Sequence, residues 1–262
     1  MESYPSRLVL TNQYNNLISV TKIVRSFGVI AYCLATEQWL LVQRKVTPSF
    51  FTLISGKYLT GNLPIICCKL TVKERRIILS LIEAAASRDK DKFVEILRPY
   101  YSCGRHDDIY DLFITRENIL RISLEKEEDI LEEPPWYFPR GRSKNKSETE
   151  LETALREFEE ETGISRSLLE LFSATPIVEN YQGSNGQQYH IKYFIYTLKF
   201  EPLPPPISQK DWEIQNRGWF NFSQASKLLK NNQQLTLHKA QSILRTRYGE
   251  SSSALSRSSR DD

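Results

Sequence analysis

The chain has no long apolar run. Nowhere in its 262 residues does a stretch approach the roughly 20 apolar residues of a membrane-spanning helix. The first residues also lack the apolar core of a secretory leader. Cysteine is sparse: Cys33, Cys67, Cys68 and Cys103 show neither the spacing of a zinc site nor the density of a secreted, cross-linked framework. They read as reduced thiols, and a cytoplasmic protein is expected. The excess of positive charge is also small. Against 35 Lys and Arg stand 32 Asp and Glu, a formal charge of +3, too little to argue for a nucleic-acid partner by itself. The 40% of hydrophobic residues is enough for a globular chain with a sizeable core, as one large domain or two small ones. The pattern leaves the oligomeric state open.

Charge is unevenly spread, and residues 136–164 (WYFPRGRSKNKSETELETALREFEEETGI) concentrate it. Ser147, followed three residues later by Glu150, has the form of a capping box that opens a helix. Leu151, Ala154, Leu155 and Phe158 then share one face and predict packing on a core. Glu157 and Glu161 lie on an adjoining face, with Glu160 one step round. Gly163 is a helix stop. Like charges at this spacing repel by roughly 0.2–0.5 kcal/mol per pair. Arg156 relieves part of that through Glu160. A hard divalent cation, Mg²⁺ or Mn²⁺, relieves all of it by taking carboxylate oxygens and bridging to phosphates. The alternative is a solvated acidic helix face.

The order of the residues bears on that choice. Gly141, a basic loop, Glu148 and the run Arg156-Glu-Phe-x-Glu-Glu-x-Gly-Ile resemble the signature of the Nudix hydrolases, whose second half is matched at every fixed position. There are two departures. The family spaces its loop glycine six residues before the first Glu, whereas Gly141 and Glu148 are seven apart. Either the loop holds an extra residue or Ser147 takes that place; the insertion is favoured because Glu148 keeps its distance to Arg156. Tyr137 stands where related decapping sequences often have Glu. The resemblance implies an α+β Nudix fold, a mixed β-sheet sandwiched between helices. It also implies metal-binding by Glu157, Glu160 and Glu161, a further ligand in the Gly141 carbonyl, and support from Glu148, Arg156 and Gly163. Arg140, Arg142 and Lys144 (with Lys146) beside the loop would grip phosphates, or else serve solubility.

Along the chain, residues 1–22 read as an irregular lead-in. Val24–Leu34 and Trp39–Gln43 are short and β-rich. Residues 46–130 predict an inserted, mainly helical subdomain, with a capping box at Thr71/Glu74 and helices from Asp91 to Leu97 and between Thr115 and Leu131. It is read either as a stabilising decoration or as a substrate selector. The hydrolase domain takes up residues 23–45 and 131–250. Pro176–Tyr181 and Tyr189–Phe200 predict a hairpin about QGSNGQ. Helices are expected over Ser223–Lys230 and Leu237–Tyr248, and a disordered tail over 251–262.

With the insertion, Ser49-Phe-Phe, Leu70-Thr-Val-Lys-Glu-Arg and Trp136-x-Phe-Pro-Arg-Gly-Arg together look like the decapping Nudix enzymes of large cytoplasmic DNA viruses, the African swine fever virus type. That resemblance implies hydrolysis of the 5′ cap of mRNA, releasing 7-methyl-GDP, with Mg²⁺ or Mn²⁺. Capped mRNA is then the partner, and diphosphoinositol polyphosphates are a second substrate class for some members. It also makes Glu213, before Trp219, the candidate general base or extra metal contact, with Glu179 a weaker one and Glu157 the alternative group to act on the water, so that Glu157, Glu160, Glu161 and Glu213 are the expected catalytic set. A methylated guanine calls for aromatic rings. Phe50, Phe51, Tyr58, Tyr100 and Tyr101 are available, but core packing is the commoner fate of such residues. Lys69, Lys73, Arg75 and Arg76 hint at an RNA track. A small-molecule Nudix hydrolase and a non-catalytic RNA-binding module on the same scaffold are the competing readings.

Overall fold

A computed structural model describes residues 23–101, 104–125, 131–199, 213–230 and 232–258, the last eleven by backbone alone. The expected lead-in over 1–22 lies outside the described residues.

A mixed seven-stranded sheet carries the fold. Its strands are β1 (Val24–Cys33), β2 (Gln38–Arg44), β3 (Trp136–Tyr137), β4 (Arg140–Gly141), β5 (Glu170–Gln182), β6 (Gln188–Leu198) and β7 (Ile214–Phe220). The order is β3-β2-β1-β6-β5, with β4 added to β1 and β7 to β2. Central β1 runs parallel to β6 from Val24 opposite Tyr189 to Cys33 opposite Leu198, and the other pairings are antiparallel. A strand covered on both faces has no polar side, which is why β1 and β2 read as near-continuous apolar runs. Phe27, Val29 and Ala31 point to one cluster with Ala154 and Phe158; Ile30 points to the other with Ile191, Tyr193, Leu237 and Leu244. Gly28 lets β4 cross: a Cβ there would lie 2.5 Å from Pro139 O and 2.9 Å from the Tyr193 ring.

Between β2 and β3 the described residues form six α-helices: α1 (Pro48–Ile54), α2 (Leu63–Cys67), α3 (Val72–Ala86), α4 (Lys90–Leu97), α5 (His106–Thr115) and α6 (Glu117–Leu124). They enclose a cluster of their own built on Phe50, Leu53, Ile66, Ile78, Leu81, Phe93, Phe113 and Leu120. The Thr71/Glu74 capping box forms as read. Glu74 also accepts from Thr47 N at 2.5 Å and from Thr47 Oγ1 at 3.0 Å, joining the starts of α1 and α3. The helix read between Thr115 and Leu131 is shorter, Glu117–Leu124, and α5 precedes it. Helices this short show few turns of apolar periodicity, which hides them from a pattern reading.

After β4 come α7 (Glu150–Thr162), α8 (Phe222–Leu228) and α9 (Asn232–Ser258). α7 covers one sheet face; α8 and α9 cover the other. The segment from 251, expected to be disordered, continues the α9 backbone to Ser258. Extending a formed helix costs far less than starting one.

Candidate functional site

α7 begins two residues later than the sequence pattern suggests. Its N-cap is Thr149, with Glu152 closing the capping box, so Ser147 and Glu150 are not the pair. Ser147 and Glu148 instead hydrogen-bond through their N–H groups to Asn145 Oδ1, a side-chain-closed turn that competes with helix for those donors. Ala154 and Phe158 are fully buried, with Leu151 and Leu155 packed beside them. That face seats the helix on β1 and leaves the glutamates on the loop side. At the far end Gly163 sits at φ 69° and its N–H donates to Glu159 O, the left-handed stop expected there.

Arg156 is the hub of the acidic face. Its Nε donates to Glu148 Oε1 at 2.6 Å, and Nη1 to Glu157 Oε1 at 2.7 Å and to Glu160 Oε2 at 3.0 Å. Nη2 reaches the carbonyl of Arg142 at 2.9 Å. Glu148, rather than Ser147, thus meets Arg156. Lys144 Nζ donates to Glu160 Oε1 at 2.6 Å. Since Glu160 is 47% exposed, each of its pairs contributes under about 1 kcal/mol. Arg156 holds the Glu148 carboxyl down at about 2.

Glu161 is the buried member, 5% exposed. Its Oε1 accepts from the Tyr137 hydroxyl at 3.1 Å and its Oε2 from the Arg140 N–H at 2.9 Å. Burial pushes its carboxyl up to about 8; the Arg44 charge opposes this, and the neighbouring Glu213 and Glu157 charges add to it. Burial likewise raises Glu157. Glu213, just ahead of β7, is brought to this cluster by Arg44, whose Nη2 stands 2.7 Å from Glu213 Oε1 and 3.8 Å from Glu161 Oε1. The sequence pattern gave Arg44 no role, although a charge closing an apolar strand was the signal available.

The site fits a hard divalent ion in donor chemistry, being made of carboxylate oxygens over a glycine. A Cβ on Gly141 would come within 2.0 Å of Glu157 Cδ, so only glycine lets that carboxylate lie against the backbone. As the side chains stand, each carboxylate leans on Arg156, Lys144 or Arg44. Among the described residues no three acidic, His or Cys side chains are gathered as a ready cage.

Arg140 departs from its expected place among the phosphate-gripping cations. Its Nη2 turns to the Tyr181 hydroxyl at 3.4 Å, across the sheet from the loop, because its position on β4 opposite Gly28 leaves that open course. Arg142 and Lys144 stay at the surface beside the acidic face. Glu179, on β5, is buried, with Oε2 accepting from Gln233 at 2.5 Å. Next to it the rings of Tyr181 and Tyr189 stack at 5.0 Å and 7°, both half-buried. The aromatic residues of the insertion are mostly core: Phe50, Tyr58 and Tyr101 are buried, and Phe51 is 37% exposed. Arg75 is no RNA contact, since it is buried and donates to the carbonyls of Leu124 and Cys67.

A protein of Acanthamoeba polyphaga mimivirus, named as a candidate mRNA-decapping protein, is 33% identical over 93 residues, 35% of this chain and 26% of that protein. The matched stretch therefore spans well under half of the viral relative. The solved structures of a C. elegans Ap4A hydrolase (15% identity, 84% of this chain and 98% of that one) and of the NUDIX domain of Shewanella oneidensis NrtR with ADP ribose (10%, 85% and 88%) each superpose at a TM-score of 0.43. The model of the NUDIX domain matches residues 108–240, a stretch holding the whole of α7 and its loop. With the mixed sheet between helices and the glycine-and-glutamate turn in place, the chain belongs to the NUDIX domain family and is of the Nudix hydrolase class.

Proposed function

We propose that this chain is a Mg²⁺- or Mn²⁺-dependent hydrolase of the mRNA 5′ cap, releasing 7-methyl-GDP and leaving a 5′-monophosphate on the RNA. The observation that carries this reading is the course of Arg140. Its main-chain N–H holds Glu161 while its side chain reaches Tyr181, so one residue joins the acidic turn to a group of aromatic and polar side chains on β5 and β6. That group comprises the stacked, half-buried Tyr181 and Tyr189 rings, the Glu179 carboxyl and the Arg140 guanidinium. A 7-methylguanine is a planar cation with donors on its N1 and N2 edge and an acceptor at O6. An aromatic face, a carboxyl group and a guanidinium are the groups that recognise such a base. The mimivirus relative supports the same substrate class.

In this reading Glu157, Glu160, Glu161 and the Gly141 carbonyl hold the cation. When bound, it makes a water nucleophilic near neutral pH and offsets charge on the phosphate oxygens. Glu213 takes the proton from the attacking water, and Arg142 and Lys144 steady the phosphates. The phosphoanhydride P–O bond breaks and the nucleoside diphosphate leaves. Residues 46–130 act as the substrate selector: Ser49 Oγ lies 3.4 Å from Ser184 Oγ, so α1 abuts the turn that carries Tyr181 and Tyr189 at its base.

The test is cap-labelled RNA incubated with Mg²⁺ or Mn²⁺ and the products resolved. Release of 7-methyl-GDP, lost in Glu160→Gln, is the expected result, and Tyr181→Ala should raise KM for capped RNA. A diphosphoinositol polyphosphate would engage the carboxylates and the loop cations without the tyrosines. Its consumption with no cleavage of capped RNA, unaffected by Tyr181→Ala, sinks the cap assignment. A binding module without catalysis has no use for a repulsive set of glutamates.

A further inference from the structure

Arg44 closes β2 where its pairing with β7 is irregular, between Gln43 and Arg44. Among the described residues its guanidinium has three polar partners. Nη2 meets Glu213 Oε1 at 2.7 Å, Nε donates to the Tyr137 hydroxyl at 2.9 Å, and Glu161 stands further off at 3.8 Å. The same group lies over the Tyr137 ring, 5.2 Å from its centre. Tyr137 in turn donates to Glu161 Oε1. One side chain therefore touches both the approach to β7 and the last turn of α7.

We propose that Arg44, braced on Tyr137, is a positioning residue for the hydrolysis: it fixes the Glu213 carboxylate beside Glu161. The main chain alone does not do this. Lys45 N donates to Glu213 O at 2.9 Å, which anchors the backbone of residue 213 and leaves the side-chain torsions of a 37%-exposed glutamate free. A charge-assisted bond from a rigid guanidinium removes that freedom. Tyr137 gives the guanidinium its own fixed seat, through a hydrogen bond at the edge and the ring face beneath. The alternative role, a structural brace that holds Glu161 and the last turn of α7 in place, sits poorly with the distances, because Glu161 is the most distant of the three partners.

The two roles move cation affinity in opposite directions. A guanidinium near Glu161 opposes a second cation there, so removing a mere positioner leaves affinity equal or tighter. Removing a structural brace loosens the carboxylates and weakens it.

The inference rests on the phosphohydrolase reading, and the experiment separates the two. Full-length Arg44→Ala, Arg44→Lys, Glu213→Gln and the Arg44→Ala/Glu213→Gln double variant are assayed on capped RNA. Mn²⁺ binding is titrated by electron paramagnetic resonance in the absence of RNA, with Glu160→Gln as control. Arg44→Ala is expected to lower kcat roughly tenfold, less than the roughly 10²–10⁴-fold cost of losing a general base outright, because Glu213 is misplaced rather than removed. KM should stay within about twofold, since ground-state binding is untouched. Arg44→Lys should recover part of the loss. The double variant should be no slower than Glu213→Gln, and Mn²⁺ affinity should be equal or tighter. Losses that multiply in the double variant, or Mn²⁺ affinity that falls along with kcat, overturn the inference while the hydrolase reading stands. Capped RNA left intact by the unaltered chain, or full activity in Glu160→Gln, overturns the reading and the inference with it.

Discussion

Among the described residues two glutamates are buried at helix ends, and they are buried differently. Glu74, 2% exposed at the start of α3, is surrounded by donors: the N–H groups of Thr47 and Thr71 and the hydroxyl of Thr47. Its hydrogen bonds close on Thr47 and Thr71, and among the described residues no second acid is placed with it. Glu161, 5% exposed at the end of α7, also accepts two bonds, but it shares its surroundings with Glu157 and Glu213 and with a guanidinium that has a tighter partner. A buried acid that is fully satisfied locks two segments together. One set among other acids destabilises its own ionised form, and a fold keeps such an arrangement where a cation is to be used.

The sharpest way to break this contrast is to neutralise each acid. Glu161→Gln should cut kcat by roughly a hundredfold or more, as loss of a charge-stabilising group does, while the urea midpoint moves little. A variant with near-normal turnover would place Glu161 with Glu74. Glu74→Ala should do the reverse, lowering unfolding free energy by about 3 kcal/mol because buried donors lose a charged acceptor. Turnover per folded molecule should hold, which equilibrium unfolding and an active-fraction assay would check. Gly141→Ala is subtler. The new methyl collides with the end of the flexible Glu157 side chain, so the melting temperature should barely change while kcat falls about tenfold from misplacement. The smallest effect is expected at the loop. Replacing Arg142 and Lys144 by alanine should leave turnover at saturation intact and flatten the log–log dependence of RNA affinity on salt by roughly 0.7 for each phosphate no longer neutralised. An unchanged slope would return both residues to a solubilising role.

Much of this site was legible in the sequence, and the reason is local. α7 carries its face, its stop and its acids within one short stretch, so spacing alone groups Glu157, Glu160 and Glu161 with Arg156 and Gly163. The N-cap was misplaced because Ser147/Glu150 and Thr149/Glu152 fit the same pattern, and only the Asn145 turn decides between them. Arg44 and Tyr137 were not legible as partners, since β2 and β3 meet only after the insertion has been folded out of the way. The course of the Arg140 side chain is hidden from the sequence for a related reason: its neighbours in sequence are loop cations, while its neighbours in space are Tyr181 and Tyr193, visible only once β4 lies on β1. In the insertion, capping chemistry showed where α3 starts, but α1, α2 and α5 are too short to announce themselves by periodicity.

The parallel pairing of β1 with β6 sets an order of events during synthesis. The second strand to be made waits for nothing, since β2 follows β1 at once, but Val24 meets Tyr189 only after the whole insertion, the acidic helix and β5 have left the ribosome. At about 5–20 residues per second the nascent β1–β2 hairpin stays exposed along one edge for many seconds. The six helices can gather around Phe93 and Phe113 in that interval. A ribosome stalled before residue 188 would therefore hold a compact helical body beside an unfinished sheet, and pulse proteolysis of such chains should cut the strands and spare the helices.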